Sequence, residues 1–424
     1  MGGALPRGEP RHGRSASGVG DVAAWQRAEA AARGSYGKLV AFLGARTHDV
    51  AGAEDALAEA FATALAQWPA EGVPHNPEAW LLTVARRRMV DAVRRRIHDG
   101  AASEYFLLVE KLARDDEAPE LPDRRLELLF ACAHPGIDAA ARAPLMLQTV
   151  LGFDAGAIAS AFLVAPATMG QRLVRAKTKI RQAGIPFSVP GRADLPERLD
   201  AVLAAIYAAY AEGWLDAEGA DARRRNLAEE AIWLGRLLAQ LMPEEAEALG
   251  LLALMLHAHA RRAARRDAAG EYVPLGWQDT ALWDHALIDE AEELLKRASR
   301  LAAAGRYQLE AAVQSAHAVR RHGGAVPWPA IVQLYEALQA ITNSPVAALN
   351  RAVALSHVDG AAAALAALPQ DARLADYQPF WAARADLLAR SGNREAALAA
   401  YERAIGLESD AAVRRFLQQR AAAA

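Results

Sequence analysis

The stretch PEAWLLTVARRRMVDAVRRRI, residues 77–97, decides the fold of the first part of the chain. Pro77 and Glu78 make a favourable first helical turn, and the helical periodicity continues for about five turns. At 100° per residue, one side of this helix collects the apolar residues Leu81, Leu82, Val84, Ala85, Met89, Ala92 and Val93. The other side carries Trp80 at its head, followed by Arg86, Arg87 and Arg94. These two faces predict a helix that packs on a core and contacts a polyanion, although a solvated amphipathic helix has the same pattern.

A second pattern, FDAGAIASAFLVAPATMGQRLVRAKTKIR at 153–181, predicts a helix-turn-helix. Asp154 suits the cap of a short helix, and Pro166 suits the first position of a longer one, where its missing N–H does no harm. The longer helix has an apolar stripe of Met169, Leu173, Ala176 and Ile180. An arc of roughly 100° away from that stripe holds Thr168, Gln171, Arg172, Arg175 and Lys179. This arc offers hydrogen-bonding and cationic groups to base edges and phosphates; a plain helical hairpin is the alternative.

Length and composition restrict the class of protein. A chain of 424 residues is too long for one core, and it has only 6% aromatic residues and apolar periodicities of three to four residues almost throughout. We therefore predict an all-α protein of several domains. The net charge of −3 conceals a concentration of arginine in 86–96 and 172–181. The single cysteine, Cys132, excludes an internal disulfide, and its apolar neighbours predict that it is buried.

The order of segments gives the predicted organisation. It consists of a disordered tail over 1–20, a helical domain over 21–97, an acidic linker over 98–121, a second helical domain over 122–185, and a C-terminal helical extension over 197–424. In the first domain, the helix at 52–68 directs Leu57 and Trp68 to one face and Asp55 and Glu59 to the other, and a Pro/Gly loop is predicted at 69–77. No apolar run of transmembrane length and no signal-peptide pattern occurs, so we expect a soluble, cytoplasmic protein.

The last third of the chain carries a weak repeat. Trp381, Ala397, Tyr401 and Ala404 match the spacing of the tetratricopeptide pattern, and a degenerate unit precedes them at 345–368. Such helical pairs bury their faces by stacking on neighbours, which predicts a short solenoid, whereas an antiparallel bundle is the alternative.

Together these residues resemble an extracytoplasmic-function (ECF) sigma factor of RNA polymerase. AEDALAEAFATALAQW (53–68) with AWLLTVARRRMVDAVRRR (79–96) is similar to sigma region 2. LELLFACAHPGID (126–138) through the helix-turn-helix is similar to sigma region 4. The resemblance covers about residues 25–185, and the rest is similar to the tetratricopeptide-like extension of one ECF group, through YAEGW (210–214), YQLEAAVQSAHA (307–318) and ALNRAVALSHVDG (348–360).

The resemblance implies roles for individual residues. Asp55 and Glu59 fall where the family binds the clamp helices of the polymerase β′ subunit. Asn76, Trp80, Arg86, Arg87 and Arg94 fall in the loop and helix where the family captures −10 bases and holds nearby phosphates; core packing is the other interpretation of Trp80. Many relatives have Asn at the position of Arg87, which donates hydrogen bonds but accepts none. The resemblance assigns −35 recognition to Thr168, Gln171, Arg172, Arg175 and Lys179.

Three other classes of protein are alternatives to the sigma factor. An enzyme with a metal centre at His257, His259, Asp284 and His285 is disfavoured, because residues i and i+2 of a helix point about 200° apart. A helix-turn-helix regulator that acts on duplex DNA without polymerase, and a tetratricopeptide scaffold without a DNA role, remain the alternatives. We predict a sigma factor that is not an enzyme, needs no metal or cofactor, and binds core RNA polymerase and promoter DNA. Its C-terminal extension is expected to regulate it, through a partner protein or an intramolecular contact.

Overall fold

The computed structural model describes residues 35–98, 123–162, 164–214, 222–301 and 304–424. Within these ranges every regular element is a helix, and the one β-type contact is an isolated bridge between Arg266 and Tyr272. The all-α class predicted from the sequence is confirmed. The predicted disordered tail and almost all of the acidic linker lie outside the described residues.

The chain divides into two compact units, which adjoin in sequence between Ala205 and Ile206. The described helices of the first unit are α1 (35–47), α2 (Val50–Glu71), α3 (Pro77–His98), α4 (Arg125–Cys132), α5 (Ala139–Leu151), α6 (Ala155–Ala161), α7 (Pro166–Gln182) and the first part of α8 (Leu195–Trp214). The division falls inside α8, whereas the sequence pattern placed a boundary at 184–196. Ile185 and Phe187, which follow α7, are only 2% and 5% exposed, so the packing of the first unit continues past the end of α7.

The second unit contains the remaining helices. These are α9 (Ala222–Leu241), α10 (Ala246–Ala260), α11 (His285–Ala298), α12 (Arg306–Ala318), α13 (Trp328–Thr342), α14 (Pro345–Leu355), α15 (Gly360–Ala366), α16 (Gln378–Arg390), α17 (Arg394–Leu407) and α18 (Ala411–Ala423). Short 3₁₀ turns lie at Arg262–Arg265, Leu275–Trp277, Thr280–Leu282, Val319–His322 and Ala372–Leu374.

Helices α2 and α3 pack against each other through their apolar faces. Leu57 and Trp68 of α2 and Leu81 and Ala85 of α3 are at most 3% exposed, as their helical spacing predicted. The predicted loop at 69–77 is shorter than expected, because α2 continues through Pro69 to Glu71. It ends where the N–H of Gly72, at a φ of 86°, donates to the carbonyl of Trp68.

Close helix approach in both units depends on particular glycines. Gly37 lies in α1 against α5, where an added Cβ would overlap the carbonyl group of Val150. Gly250 lies in α10 against the start of α12, where an added Cβ would lie 2.6 Å from the backbone nitrogen of Gln308. The same contact is reinforced by the Glu247 carboxylate, which accepts from the N–H groups of Tyr307 and Gln308 at 2.9 and 3.0 Å. A carboxylate at a helix N-terminus satisfies donors that have no partner within the helix.

The C-terminal repeat residues pack between α16, α17 and α18. Ala385, Ala397, Tyr401 and Ala404 belong to one buried cluster with Leu417 of α18, and Trp381 packs against it from α16. The burial predicted for the repeat positions is therefore confirmed for Ala397, Tyr401 and Ala404, which are at most 2% exposed. The small side chains of Ala397 and Ala404 leave room for the buried ring of Tyr401 in this cluster.

Candidate DNA and polymerase interface

The outer face of α2 carries the two acidic residues predicted to bind polymerase. Asp55 and Glu59 are exposed, opposite the buried Leu57 and Trp68. Glu59 Oε2 lies 3.3 Å from Arg88 Nε of α3, and both side chains are about half exposed. An exposed ion pair of this kind contributes little to stability. Because Asp55 and Glu59 are both exposed, they form an acidic, solvated surface that suits a cationic partner.

The head of α3 combines a capping residue with a pair of tryptophans. Asn76 is exposed, and its Oδ1 accepts from the N–H of Ala79 at 3.0 Å, which caps the helix. The rings of Trp68 and Trp80 meet edge to face, with their centroids 5.5 Å apart. Trp68 is buried at 3% exposure, whereas Trp80 is only partly buried. Trp80 therefore both packs on the core and retains solvent-accessible surface.

The arginines of α3 do not all lie on the exposed face. The prediction that Arg86 lies on the exposed face of α3 is wrong, because the residue is only 9% exposed and its guanidinium lies 5.3 Å from the ring centroid of Phe42 in α1. Arg46 lies over the same ring at 4.5 Å. Burial, followed by the charges of Arg86 and Arg124, lowers the pKa of Arg46. An aromatic face partly replaces the water that a guanidinium loses on burial, which is why Arg86 is tolerated next to the apolar stripe. Arg87 is exposed as predicted, and the side chain of Arg94 lies outside the described residues.

Helices α6 and α7 begin at the positions that the sequence predicted. Asp154 Oδ1 accepts from the N–H of Ala157 at 2.9 Å and so caps α6. Pro166 is the first residue of α7. The buried residues of α7 are Met169, Leu173, Ala176 and Ile180, which are the four of the predicted stripe. Of the predicted DNA contacts, the exposed ones are Thr168, Gln171, Arg175 and Lys179, and Arg172 is partly buried.

A buried ion pair that the sequence pattern did not reveal joins α7 to α2. Lys177 Nζ and Glu54 Oε2 are in contact, and Glu54 is only 8% exposed. Burial raises the pKa of Glu54, while the neighbouring Lys177 ammonium opposes this rise. A weaker pair joins Arg181 Nη1 to Asp49 Oδ2 at 3.7 Å.

The segment after α7 strengthens this junction. Phe187 meets the ring of His48 edge to face at 6.0 Å, and its carbonyl accepts from Arg124 Nη2 at 3.2 Å. The two parts of the first unit that the sequence treated as separate domains thus share one packed interior. Among these residues, only Phe187 carried a local signal, as an isolated aromatic in a Pro/Gly segment.

The histidines considered for a metal centre are packed into the second unit. His257 is 2% exposed, and burial, followed by the charges of Arg261 and Arg321, lowers its pKa to about 3. Its Nε2 lies 3.5 Å from Glu292 Oε1. A neutral ring at physiological pH makes this contact one between a dipole and a carboxylate rather than an ion pair. Across the described ranges, no three His, Cys, Asp or Glu side chains gather as metal ligands would.

In a comparison with known families, residues 33–97 match Sigma-70 region 2. This match spans the described helix α1, α2 and nearly all of α3. The chain therefore contains a domain similar to sigma-70 region 2, and this match supports the role of an RNA polymerase sigma factor. Sigma-70 proteins are non-enzymatic initiation factors that act with core RNA polymerase and promoter DNA.

Two further comparisons concern the rest of the chain. Residues 198–299 match a family of unknown function (DUF6596). "Uncharacterized protein R00370" of Rhizobium meliloti (strain 1021) is 40% identical over 369 residues, which cover 85% of this chain and 86% of that protein. The chain belongs to the same family as this relative. No solved structure matches the chain. None of the helices that the structure describes is long and apolar enough to span a membrane.

Proposed function

We propose that this sigma factor is of the ECF type and recognises promoters through two separate elements. In this proposal α3 and the loop before it contact the −10 element through Asn76, Trp80, Arg87 and Arg94, and the polar arc of α7 contacts the −35 element. Arg86 is not included among the proposed DNA contacts, because it is buried and packs against Phe42 of α1. The proposal is supported by the combination, in one unit, of a region 2 match with the helix pair α6 and α7, on which four residues of the polar arc are exposed.

The residues proposed for −35 recognition fit the chemistry of a major groove. Gln171 offers a paired donor and acceptor, and Arg172 and Arg175 offer forked donors that suit guanine. Lys179 lies two turns beyond Gln171 and offers a point charge for a phosphate. Asp55 and Glu59, on the far side of α2 from the core, are proposed as the polymerase contacts because they are exposed and acidic.

The test of the proposal is transcription with purified components. The full-length protein is mixed with bacterial core RNA polymerase, and promoters are selected from a randomised DNA library by the resulting complex. We expect the selected DNA to share two conserved elements, and Gln171→Ala to relax selection only in the upstream one. Binding of the protein alone to duplex DNA, with no association with polymerase, would instead identify a regulator that acts without polymerase.

We also propose that the second unit regulates the first and that its C-terminal helices form a tetratricopeptide-like array. The buried cluster at Ala397, Tyr401 and Ala404 supports the array, because these positions are the ones the repeat pattern requires to be small or buried. The test compares open-complex formation by the full-length protein with that of a chain ending at Trp214, which retains all of α8. Equal activity of two folded proteins would exclude regulation by this unit under those conditions.

A further inference from the structure

A cavity of about 460 Å³ lies in the second unit, lined by helices α12, α13 and α14 with one residue each from α8 and α10. We call it the α12 cavity. Its size falls in the range of small-molecule sites, about 300–1,000 Å³, and far exceeds the roughly 30 Å³ of one water. Arg306, Glu310 and Gln314 line it at intervals of four residues. One face of α12 therefore presents polar side chains to a space that apolar ones would otherwise fill.

The α12 cavity contains one ion pair. Arg306 Nε donates to Glu310 Oε1 at 2.8 Å, and the Glu310 side chain is 21% exposed. This bond engages one N–H of the guanidinium and one oxygen of the carboxylate, so both groups retain capacity for further hydrogen bonds. Among the described residues that line the cavity, these two are the charged ones, and their charges cancel. A neutral or zwitterionic ligand therefore suits the cavity better than an ion of either sign.

Two phenols from different helices lie near the Glu310 carboxylate. Tyr207 of α8 and Tyr335 of α13 both line the cavity. Burial raises the pKa of both phenols, to about 12 for Tyr335, and the charge of Glu310 adds to the rise in each. A hydrogen bond between Tyr335 and the side chain of Asn350 in α14 helps to fix the ring. A carboxylate beside aromatic rings is a favourable environment for an ammonium group, which both attract.

The remaining part of the lining is largely apolar. It is contributed by α10, α12, α13 and α14 through Leu254, Val313, Leu338, Val346 and Ala347. Such a wall gains free energy when an apolar group of a ligand displaces water from it. The α12 cavity thus offers a cationic group, an anionic group and an apolar wall within one small space.

We propose that the α12 cavity binds a free α-amino acid with an apolar side chain. The carboxylate of the ligand accepts from the Arg306 guanidinium, and its ammonium group donates to Glu310 beside the rings of Tyr207 and Tyr335. The apolar side chain of the ligand lies on the apolar wall. An α-amino acid carries its two charged groups on the same carbon atom, so one molecule can bind both members of a single ion pair. The site lies within the second unit, so the inference does not depend on the proposed promoter contacts.

The experiment is isothermal titration calorimetry of the full-length protein with leucine, methionine and phenylalanine as probes. We expect at least one of them to bind with a Kd of about 10–100 μM. Two analogues of the tightest binder then test the charges: its amide, which lacks the carboxylate, and the corresponding acid without the amino group. Each should bind at least about tenfold more weakly, because it leaves one charged side chain without its ligand partner. This series uses the unaltered protein and so requires no variant to fold.

Variants assign each charged group of the ligand to its residue. Glu310→Gln should weaken binding of the amino acid at least about tenfold and leave binding of the analogue without an amino group unchanged. Arg306→Gln should weaken the amino acid similarly and leave the amide unchanged. The matched control is Glu293→Gln on α11, which removes a carboxylate paired with Lys296 at 3.1 Å outside the cavity, and it should leave all binding unchanged. Thermal unfolding of each variant verifies that it is folded.

Three results would overturn the proposal. The first is no detectable binding of any of the three amino acids at concentrations up to about 5 mM. The second is equal binding of the amino acid and its two analogues, which would show an unselective apolar cavity. The third is an equal loss of affinity in Glu310→Gln and Glu293→Gln, which would show that the effect does not arise in the cavity. The measurement contains neither DNA nor polymerase, so each of these results would leave the proposed promoter recognition untouched.

Discussion

Replacing Lys177 by methionine should weaken the junction between α2 and α7 in a pH-dependent way. The side chains of Lys177 and Glu54 are only 12% and 10% exposed, and Glu54 Oε1 is buried with no hydrogen-bond partner in the described structure. Burial, followed by the opposing effect of Lys177 and a small addition from Asp55, leaves the pKa of Glu54 raised above its ordinary value of 4.5. Methionine keeps the length of lysine and removes its charge, so the carboxylate is left buried without its cation.

The expected cost follows from the burial of the pair. Removing one partner of a buried ion pair costs about 3–5 kcal/mol, and the residual exposure of both side chains favours the lower end, about 3 kcal/mol at pH 7.5. An acid whose folded-state pKa is raised stabilises the fold most when it is protonated, so stability falls as the pH rises from 4.5 through the folded-state pKa. Loss of Lys177 removes the charge that opposes this rise, so it raises the pKa of Glu54 further. The lost stability should therefore return as the pH is lowered from 7.5 towards 5.5.

Hydrogen exchange of the full-length protein measures this effect locally. Peptides from α2 and α7 are followed by mass spectrometry across that pH range, with rates corrected against an unfolded reference. Lys179→Met, at an exposed lysine of the same helix, is the matched control and should leave exchange unchanged. Glu54→Leu combined with Lys177→Met should recover most of the protection, because a well-packed apolar pair replaces two buried charges. An exchange increase that is independent of pH, or is equal in Lys179→Met, would refute the reasoning.

The junction also limits what the first unit can do on DNA. The −10 and −35 elements are about 25 base pairs apart, or about 85 Å at 3.4 Å per base pair. Helices α3 and α7 both pack on α2 in the structure, so they lie much closer together than that. Simultaneous binding of both elements, as proposed, requires α7 to leave α2 and the Glu54–Lys177 pair to break.

Four further predictions test other parts of the molecule. Joining Glu54→Cys to Lys177→Cys with a short bis-maleimide, in a Cys132→Ser background, should preserve polymerase binding and abolish open complexes; unaffected open complexes would show that α7 need not leave α2. Asp55→Lys with Glu59→Lys should weaken polymerase binding in pull-down titrations, whereas Glu71→Lys at the exposed end of α2 should not. Arg172→Ala should reduce discrimination among −35 sequences by about 1–3 kcal/mol, whereas Lys179→Ala should weaken all sequences alike and flatten the salt dependence. Gly250→Ala should destabilise the second unit by about 1–3 kcal/mol in thermal unfolding, because its Cβ would lie 2.6 Å from the Gln308 backbone nitrogen, and Gly406→Ala should not.

Local periodicity predicted the helices that carry the candidate site. The stripe of α7 was correct at all four positions, because its buried residues follow the 3.6-residue period of a helix with one buried face. Asp154 and Pro166 were correct for the same reason, since helix caps depend on adjacent residues. Polar residues with unusual surroundings were not predictable in this way. Arg86 was assigned to the exposed face from its position along the helix, whereas the ring of Phe42, 44 positions earlier in sequence, allows it to be buried.

The residues that connect α2 to α7 are those that the sequence could not identify. Glu54 and Lys177 are 123 positions apart, and each looks like an ordinary solvated charge within its own helix. Only the tertiary fold makes them partners, and the cost of burying either one alone makes them depend on each other. Sequence patterns thus predicted the surfaces that are proposed to bind DNA. They did not predict the Glu54–Lys177 contact between α2 and α7, which must break if both surfaces are to bind DNA at once in the proposed way. For this protein, the prediction most worth testing therefore concerns a pair of residues outside every proposed DNA and polymerase contact.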